Sequence, residues 1–431
     1  MALFRTIASC ALLCACLPLA AQQQKSDPRQ RVRAARDLAK QGVEAIPKLT
    51  PMLKDPSPEV RIEAVKSIVQ IDTQHSLDPL IEATRDNDPE VQIRATDGLV
   101  NFYLPGYVES GVGATLKRAG AAIKASFTGQ SDQVIDPYVQ VRPDIIAALG
   151  KLASGSVSMD ARANAARALG ILRGKDAVPD LIKALQSGDE QVMLESLLAL
   201  QKIRDPASGP RFSYLVLDMD PRIQLAAIET TGLLQNREAL PRLRRALQQT
   251  DNKDVRRAAL GAIAMMPDAA NRSLFLQYMN DKDEQLRAAA AEGLARLKDP
   301  ADLPLMEKAY AAEGKMPPRL AEAFALVSLG QTQIAQFSPL QYLLDTLNSV
   351  AWRGVSRAYL IELTRDPAIR ATVQTTLKSG TKGEKMELAG ILARSGGKDT
   401  VPYLQALSQD PDTDVANAAL NALRILNARL P

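Results

Sequence analysis

Histidine occurs once and cysteine three times in 431 residues, and aromatic residues make up only 4%. These shortages exclude chemistry before any motif is read. A structural zinc site wants four Cys or His ligands, and a catalytic one usually three protein ligands. Outside the first 21 residues the chain offers His75 alone. No Asp-x-Asp-x-Asp-Gly loop with a terminal Glu is present to hold calcium. His75 stands in Asp72-Thr73-Gln74-His75-Ser76, far from any Gly-x-Ser-x-Gly setting, and reads as an exposed turn residue rather than a catalytic base. Ser395-Gly396-Gly397-Lys398 lacks the companion Lys-Thr-Gly element, and Gly111-Val112-Gly113 lacks the rest of a phosphate loop. Two-carboxylate glycoside hydrolysis finds no local context that selects a pair.

All three cysteines, Cys10, Cys14 and Cys16, lie in residues 1–21, where Arg5 precedes an apolar run from Thr6 to Leu17 and small residues at Ala20 and Ala21. This reads as a secretory signal peptide cleaved near Ala20 or Ala21, followed by a polar linker over 22–30. A periplasmic or extracellular location follows, with no disulfide in the mature chain although export would permit one. Leu13-Cys14-Ala15-Cys16 is a poor lipobox, because Cys14 stands where a small aliphatic or hydroxyl residue is wanted. A lipid anchor at Cys16 is therefore the lesser expectation. Past the signal, no apolar run reaches the roughly 20 residues that span a bilayer. The formal net charge of +4 becomes 4 − 1 = +3 once Arg5 is removed, too little for a nucleic-acid surface.

What the chain does have is apolar mass without rings: 46% hydrophobic residues, drawn mainly from Leu, Ala, Ile and Val. That favours helices over a β-sandwich. Two phrases alternate along it. The first is a turn, often Asp-Pro, then a helix opening on Val-Arg, as in Asp55-Pro56-Ser57-Pro58-Glu59-Val60-Arg61. Its apolar position recurs at Val32, Val60, Val91, Ala161, Val192, Ile223, Val255 and Leu286, with steps of 28, 31, 31, 31, 32 and 31 and one gap of 70. The second phrase opens on proline, at Pro47, Pro79, Pro143, Pro179, Pro241, Pro304 and Pro402, and more loosely at Pro210 and Pro339. Ser57, Asp88 and Asp220 are suited to cap the first helices, with Pro58, Pro89 and Pro221 in the first turn. Neither helix can bury its apolar stripe alone, but stacked neighbours can. The fold class is all-α: an alpha-alpha superhelix, or α-solenoid, of roughly 12 or 13 units of about 31 residues.

Arg162 to Leu172 (RANAARALGIL) followed by Asp176 to Leu185 (DAVPDLIKAL) resembles HEAT repeats of the phycobilisome-lyase type. The resemblance covers most of the chain and implies an armadillo-type fold, without a function, since such repeats serve many partners. HEAT-like hydroxylases hold iron on repeated His-Glu pairs. This chain has none, so no iron site is carried over. Bilin attachment, the other activity the resemblance suggests, finds no bilin site here and no place outside the cytoplasm. Recurring Gly170, Gly232, Gly261, Gly293 and Gly390 read as close-packing positions. Arg33, Arg61, Arg162, Arg256 and Arg287 read as an inter-repeat ladder with turn acids Asp55, Asp86, Asp251 and Asp281.

The domain plan is repeats over 31–102, an irregular insertion over 103–140, and repeats again over 141–431. The insertion holds Phe102 at its edge, then Tyr103, Tyr107, Phe127 and Tyr138, and a basic amphipathic helix, Thr115 to Phe127. It is either a degenerate repeat or a binding element. The basic run Arg237, Arg242, Arg244, Arg245, Arg256, Arg257 is half offset by nearby acids and reads as a solvated face. The expected activity is that of an exported scaffold binding a protein or peptide on a concave second-helix surface, with no catalysis and no cofactor. The alternative is an enzyme or accessory subunit with a carboxylate-only or partner-borrowed site. The partner-contacting candidates are Tyr103, Tyr107, Lys117, Lys124, Tyr138, Lys183, Arg242 and Arg245.

Overall fold

The computed structural model describes residues 27–108 and 133–430. The expected signal segment with Cys16, the expected helix Thr115 to Phe127, and Lys117 and Lys124 lie outside the described residues. Among those described, every regular element is helical, and none is long and apolar enough to cross a membrane.

The two phrases become two rows of helices. First helices run Pro28–Ala39, Pro58–Ile71, Pro89–Tyr103, Met159–Ile171, Glu190–Ile203, Pro221–Leu233, Lys253–Ala264, Glu284–Leu297, Met316–Ser328, Arg353–Leu363 and Lys382–Ser395, closed by Thr413–Arg429. Second helices are mostly shorter, such as Leu77–Ala83, Val178–Ala184, Leu240–Gln249 and Val401–Leu407, and all nine expected prolines lie in their opening turns. The described residues thus form eleven helix pairs and a closing helix. The first helix begins at Pro28, inside the stretch expected to be linker, and Arg31 in it is already buried.

First helices are covered on both flanks and, mostly, by the second helix that precedes them, so Ala fills almost every side: Ala161, Ala163, Ala165, Ala166 and Ala168 are all buried in one of them. Second helices bury one stripe only, as in Leu240, Leu243, Ala246 and Leu247. Each fully buried Leu contributes about 1.5–3 kcal/mol. Small residues set the spacing of the first row. A Cβ on Gly170 would stand 2.8 Å from the Ala199 Cα, and one on Gly232 2.8 Å from the Ala262 Cα. Gly293 is covered instead by the Phe275 ring, which a Cβ there would meet at 2.5 Å. Gly261 and Gly390 depart from the expectation, for each faces open space.

Asp88 and Asp220 cap their helices, accepting from the backbone amides of Glu90 and Val91, and of Arg222 and Ile223. Ser57 does not cap; its own amide donates to Asp55 Oδ1 at 2.9 Å. The arginine ladder exists with partly different members. Arg31, not the exposed Arg33, pairs with Asp55 at 2.7 Å. Arg61 pairs with Asp86 at 2.8 Å and donates back to the Asp55 carbonyl at 2.9 Å. Arg287 pairs with Glu313 and donates to the Asp281 carbonyl, while Arg319 donates to the Glu313 carbonyl. Arg61 and Arg287 therefore each grip their own turn six residues back and the next repeat's turn ahead. Arg256 donates to the Thr250 carbonyl and Arg162 to the Ala153 carbonyl and the Met159 sulfur, neither to a turn acid, and Asp251 stays exposed.

The gap of 70 has a simple cause. Pro89–Tyr103 packs directly on Met159–Ile171, and Pro143–Gly155 is the second helix of the repeat that Pro89–Tyr103 begins. The extra chain sits in the turn between the two helices of one repeat. The expected two blocks are one unbroken row, Tyr103 is the last residue of a scaffold helix, and the added chain replaces what the period alone counted as a further unit.

Candidate functional site

Both arms of the insertion are anchored. Tyr103 is half-buried, stands edge-on to Phe102 with centroids 5.1 Å apart, and its hydroxyl accepts from the Arg142 amide at 3.2 Å. Tyr107 is half-buried against the core. On the returning arm, Ile135 is buried and its amide donates to the Ile171 carbonyl at 3.0 Å. Tyr138 is exposed and donates to Asp136 at 2.9 Å, while Arg424 of the closing helix approaches the same hydroxyl. Arg142 ties the end of the arm to Asp78 at 2.6 Å. Of the three tyrosines, two are seated in the scaffold and one faces outward. Lys183 lies exposed on Val178–Ala184, and Arg242 and Arg245 lie exposed on Leu240–Gln249, elements separate from the tyrosines. The basic run around them is tied down: Arg257 to Asp283 at 2.8 Å, Arg244 to Asn271, and Arg237 to the Pro267 carbonyl. His75 is exposed in a short turn, as expected.

Residues of non-adjacent repeats meet at the C-terminal ends of the first helices, which therefore form the inside of the curve. Arg296 reaches past one helix to Glu362 at 2.9 Å, and Tyr359 reaches back to Glu292 at 2.6 Å. Phe324, on the intervening helix, stacks on Tyr359 at 4.7 Å and lies 5.4 Å below the Arg296 guanidinium. Burial opposes charge on Arg296, but Glu292 and Glu362 outweigh it and hold the guanidinium protonated. Burial, then Glu292, pushes the Tyr359 phenol far up. Every polar group in this knot has a partner, so it acts as a brace. Glu322, two residues before Phe324 and so on the opposite side of the same helix, differs. Burial, then the like charge of Glu313, pushes its carboxyl up to about 8, and its Oε2 has no hydrogen-bond partner.

A second group on the inside of the curve is rich in arginine, with Asp136 beside Arg173. Arg173 and Arg204 end successive first helices, and Arg365 and Arg394 lie at the same ends about six repeats later. Arg173 lies within electrostatic reach of Arg204 and Arg394, and Arg204 within reach of Arg365 and Arg394. Arg429, at the end of the closing helix, is within reach of Arg365 and donates to the carbonyls of Arg394 and Gly396. Burial and then neighbouring arginines hold Arg173 and Arg204 below the usual arginine range, while Asp136 offsets this at Arg173. All five side chains are nevertheless open to water. Among the described residues, no ion pair or side-chain hydrogen bond engages Arg173, Arg204, Arg365 or Arg394. Sequence reading missed this group. Its members share a phase in the repeat, but nothing in a linear pattern says which end of a helix faces inward.

The HEAT-repeat family profile, described as HEAT repeats, matches residues 17–100, 146–213, 210–272 and 246–326. The chain belongs to the HEAT-repeat family. The repeats beyond residue 326 continue the same two rows in the structure. Among solved structures, the complex of CpcE and CpcF of phycocyanin lyase from Nostoc sp. PCC7120 is similar at 18% identity over 63% of this chain and 94% of that one, with a TM-score of 0.37. An engineered protein is similar at 18% identity over 89% and 98%, with a TM-score of 0.33. The E. coli protein YibA is similar at 15% identity over 71% and 97%, with a TM-score of 0.41. No curated protein matches the sequence. Among the described residues, no three His, Cys, Asp or Glu side chains are grouped to hold a metal ion.

Proposed function

We propose that this HEAT-repeat chain is an exported scaffold that binds a protein or peptide partner and catalyses no reaction of its own. One observation carries the reading: Pro89–Tyr103 packs directly on Met159–Ile171, so the chain between them enters as an addition within one repeat rather than as a repeat of its own. Insertions of this kind in repeat proteins map to binding faces. We read the contact surface on the inside of the curve, made by C-terminal ends of first helices, rather than on second helices. Tyr138, exposed and next to the arginine group through Asp136, is the member of the sequence-derived set best placed to contact a partner. The N-terminal segment supports export.

Replacing residues 109–132 with a short Gly-Ser linker tests the reading. The shortened protein is expected to keep the helical signal and melting temperature of the parent while losing proteins that the parent retains from an envelope extract. A shortened protein that retains the same set, or that loses its fold, overturns it. N-terminal sequencing of the protein recovered from cells tests export, with a start near Gln22 expected and an intact Met1 or lipidated Cys16 contrary to it.

A further inference from the structure

A second long loop joins a first helix to its second helix. Leu297 reaches Pro300 through Lys298 and Asp299 alone, whereas Ser328 reaches Pro339 through residues 329–338. The loop is pinned. The Gln331 amide donates to the Leu326 carbonyl at 3.0 Å, and the Gln331 side chain to Glu307 at 2.7 Å. Ser338 Oγ donates to the Gln333 carbonyl at 2.9 Å and accepts from the Ala335 amide at 3.2 Å. Within this loop Phe337 is 84% exposed, while Phe212, Phe275 and Phe324 are buried and Phe102 is half-buried. Its φ is 66°. The other left-handed non-glycine residues, Asp72, Arg173, Arg204, Gln235 and Lys298, close first helices, where that conformation is ordinary, and Phe337 does not. Beside the loop lies a cleft of about 150 Å³, with Ile334, Leu344 and Leu388 as its apolar wall and Gln341, Thr376 and Glu384 among its polar lining. Those polar groups are engaged within the chain. Gln341 donates to Asp345 and Thr376 to the Val373 carbonyl, and Glu384 accepts from Asn348 and the Thr381 amide. The apolar wall is what remains to be recognised, and a hole of about 150 Å³ lined by Leu and Ile takes a benzene-sized ring.

We propose that this surface joins two copies of the chain, the Phe337 ring of each entering the cleft of Ile334, Leu344 and Leu388 on the other across a two-fold axis. The inference goes beyond the scaffold reading and does not rest on it. Ring and cleft share one surface. Phe337 lies three residues past Ile334 and four before Gln341, so about 10 Å of extended chain bounds its distance from the cleft wall. A two-fold contact needs a patch that complements itself, residue i of one copy meeting residue j of the other and the reverse. A knob set beside a hole of its own size meets that need, whereas a different protein would call for only one of the two. Charge agrees with the pairing. Asp345 follows Leu344, Lys378 precedes the cleft residue Ser379, and both are exposed, so the axis sets each acid against the other copy's base. Each ring buries about 150–250 Å², so two rings with their walls come to about 600–1,000 Å², the low end for a specific interface. The dimer is therefore weak and reversible, helped by a loop that needs no ordering on contact.

Sedimentation equilibrium of the full chain over a wide range of concentration tests this. The parent is expected to pass reversibly from dimer to monomer on dilution. Phe337→Gly puts Gly where the backbone suits it, and should weaken association about tenfold or more while melting at the parental temperature or above. Ser379→Trp, at an exposed position on the cleft, obstructs the hole and should weaken association to a similar degree. Each variant keeps what the other lacks, so an equimolar mixture should regain association that neither shows alone. If Ser379→Trp melts early, Phe337→Gly by itself decides the matter. A parent that stays monomeric at every concentration overturns the proposal. So does a dimer that Phe337→Gly leaves unchanged, or a mixture of two folded variants that regains nothing. A monomeric parent that binds phosphatidylcholine vesicles through Phe337 also overturns it and assigns the ring to a lipid surface. A monomeric parent whose retained envelope protein is lost in Phe337→Gly overturns it as well, in favour of a different protein. None of these outcomes bears on the shortening of 109–132, so the scaffold reading stands or falls separately.

Discussion

At the N-terminal ends of the first helices, Arg61 and Arg287 are sunk between a carboxylate of the next repeat and a carbonyl of their own turn. At the C-terminal ends of the same row, Arg173 and Arg204 face other arginines across the curve and bond no acid among the described residues. The same residue type thus does opposite work at the two ends. On one edge it holds repeats in register, at the price of being immobile. On the other it stays available and leans against stability, which is the pattern expected where binding has been favoured over rigidity.

Breaking the buried edge should have the largest effect. Arg61 is 9% exposed and also donates to Asn87. Arg61→Ala leaves the Asp86 carboxylate buried and unmatched, and is expected to cost about 3 kcal/mol by denaturant unfolding.

Glu322, near Glu313, Arg287 and Arg319, gives a pH-dependent contrast to the satisfied knot around Phe324. Its carboxyl, ordinarily near 4.5, is pushed up to about 8. Between those values the unfolded chain ionises this group and the folded chain does not, so stability falls as pH rises from 4.5 to about 8 and levels off above. Glu322→Gln should therefore stabilise by about 2 kcal/mol at pH 9 and change little at pH 4.5. A melting series across pH with parent and variant checks the sign.

Two glycines at different phases, nine residues past Ile223 and six past Val255, sharpen the packing side of the comparison. Gly232→Ala drives a methyl group toward the Ala262 backbone and should cost about 1–2 kcal/mol. Gly261→Ala meets nothing within 4 Å and should gain about 0.5–1 kcal/mol through helix propensity. Smallest is the effect at the open edge. Arg204→Gly should raise stability by about 0.5 kcal/mol, where the same change at a ladder position would lower it. A loss of stability at Arg204 would show that the two edges are alike.

Much of the scaffold was legible because its determinants are local and repeated. Val60, Val91 and Val192 mark first helices, nine prolines open second helices, and Asp88 and Asp220 cap as their types imply. Errors came where one contact overrides a pattern. Ser57 gave way to Asp55 as a turn organiser, and Arg31 displaced Arg33 because it points toward Asp55 from the buried side of its helix. Tyr103 and Tyr107 were read with the insertion, but the first completes a helix and both rest on the core.

By itself the sequence determined an all-α repeat protein, its phase, its caps and the place where extra chain enters, since each depends on residues within one helix or one turn. The tertiary structure alone decided that the extra chain lies inside a single repeat, and that the C-terminal ends of first helices turn inward. That choice comes from small rotations between neighbours, set by contacts such as Gly170 on Ala199 and Gly232 on Ala262. Summed over about six repeats, they bring Arg204 to Arg394, residues that no local pattern relates.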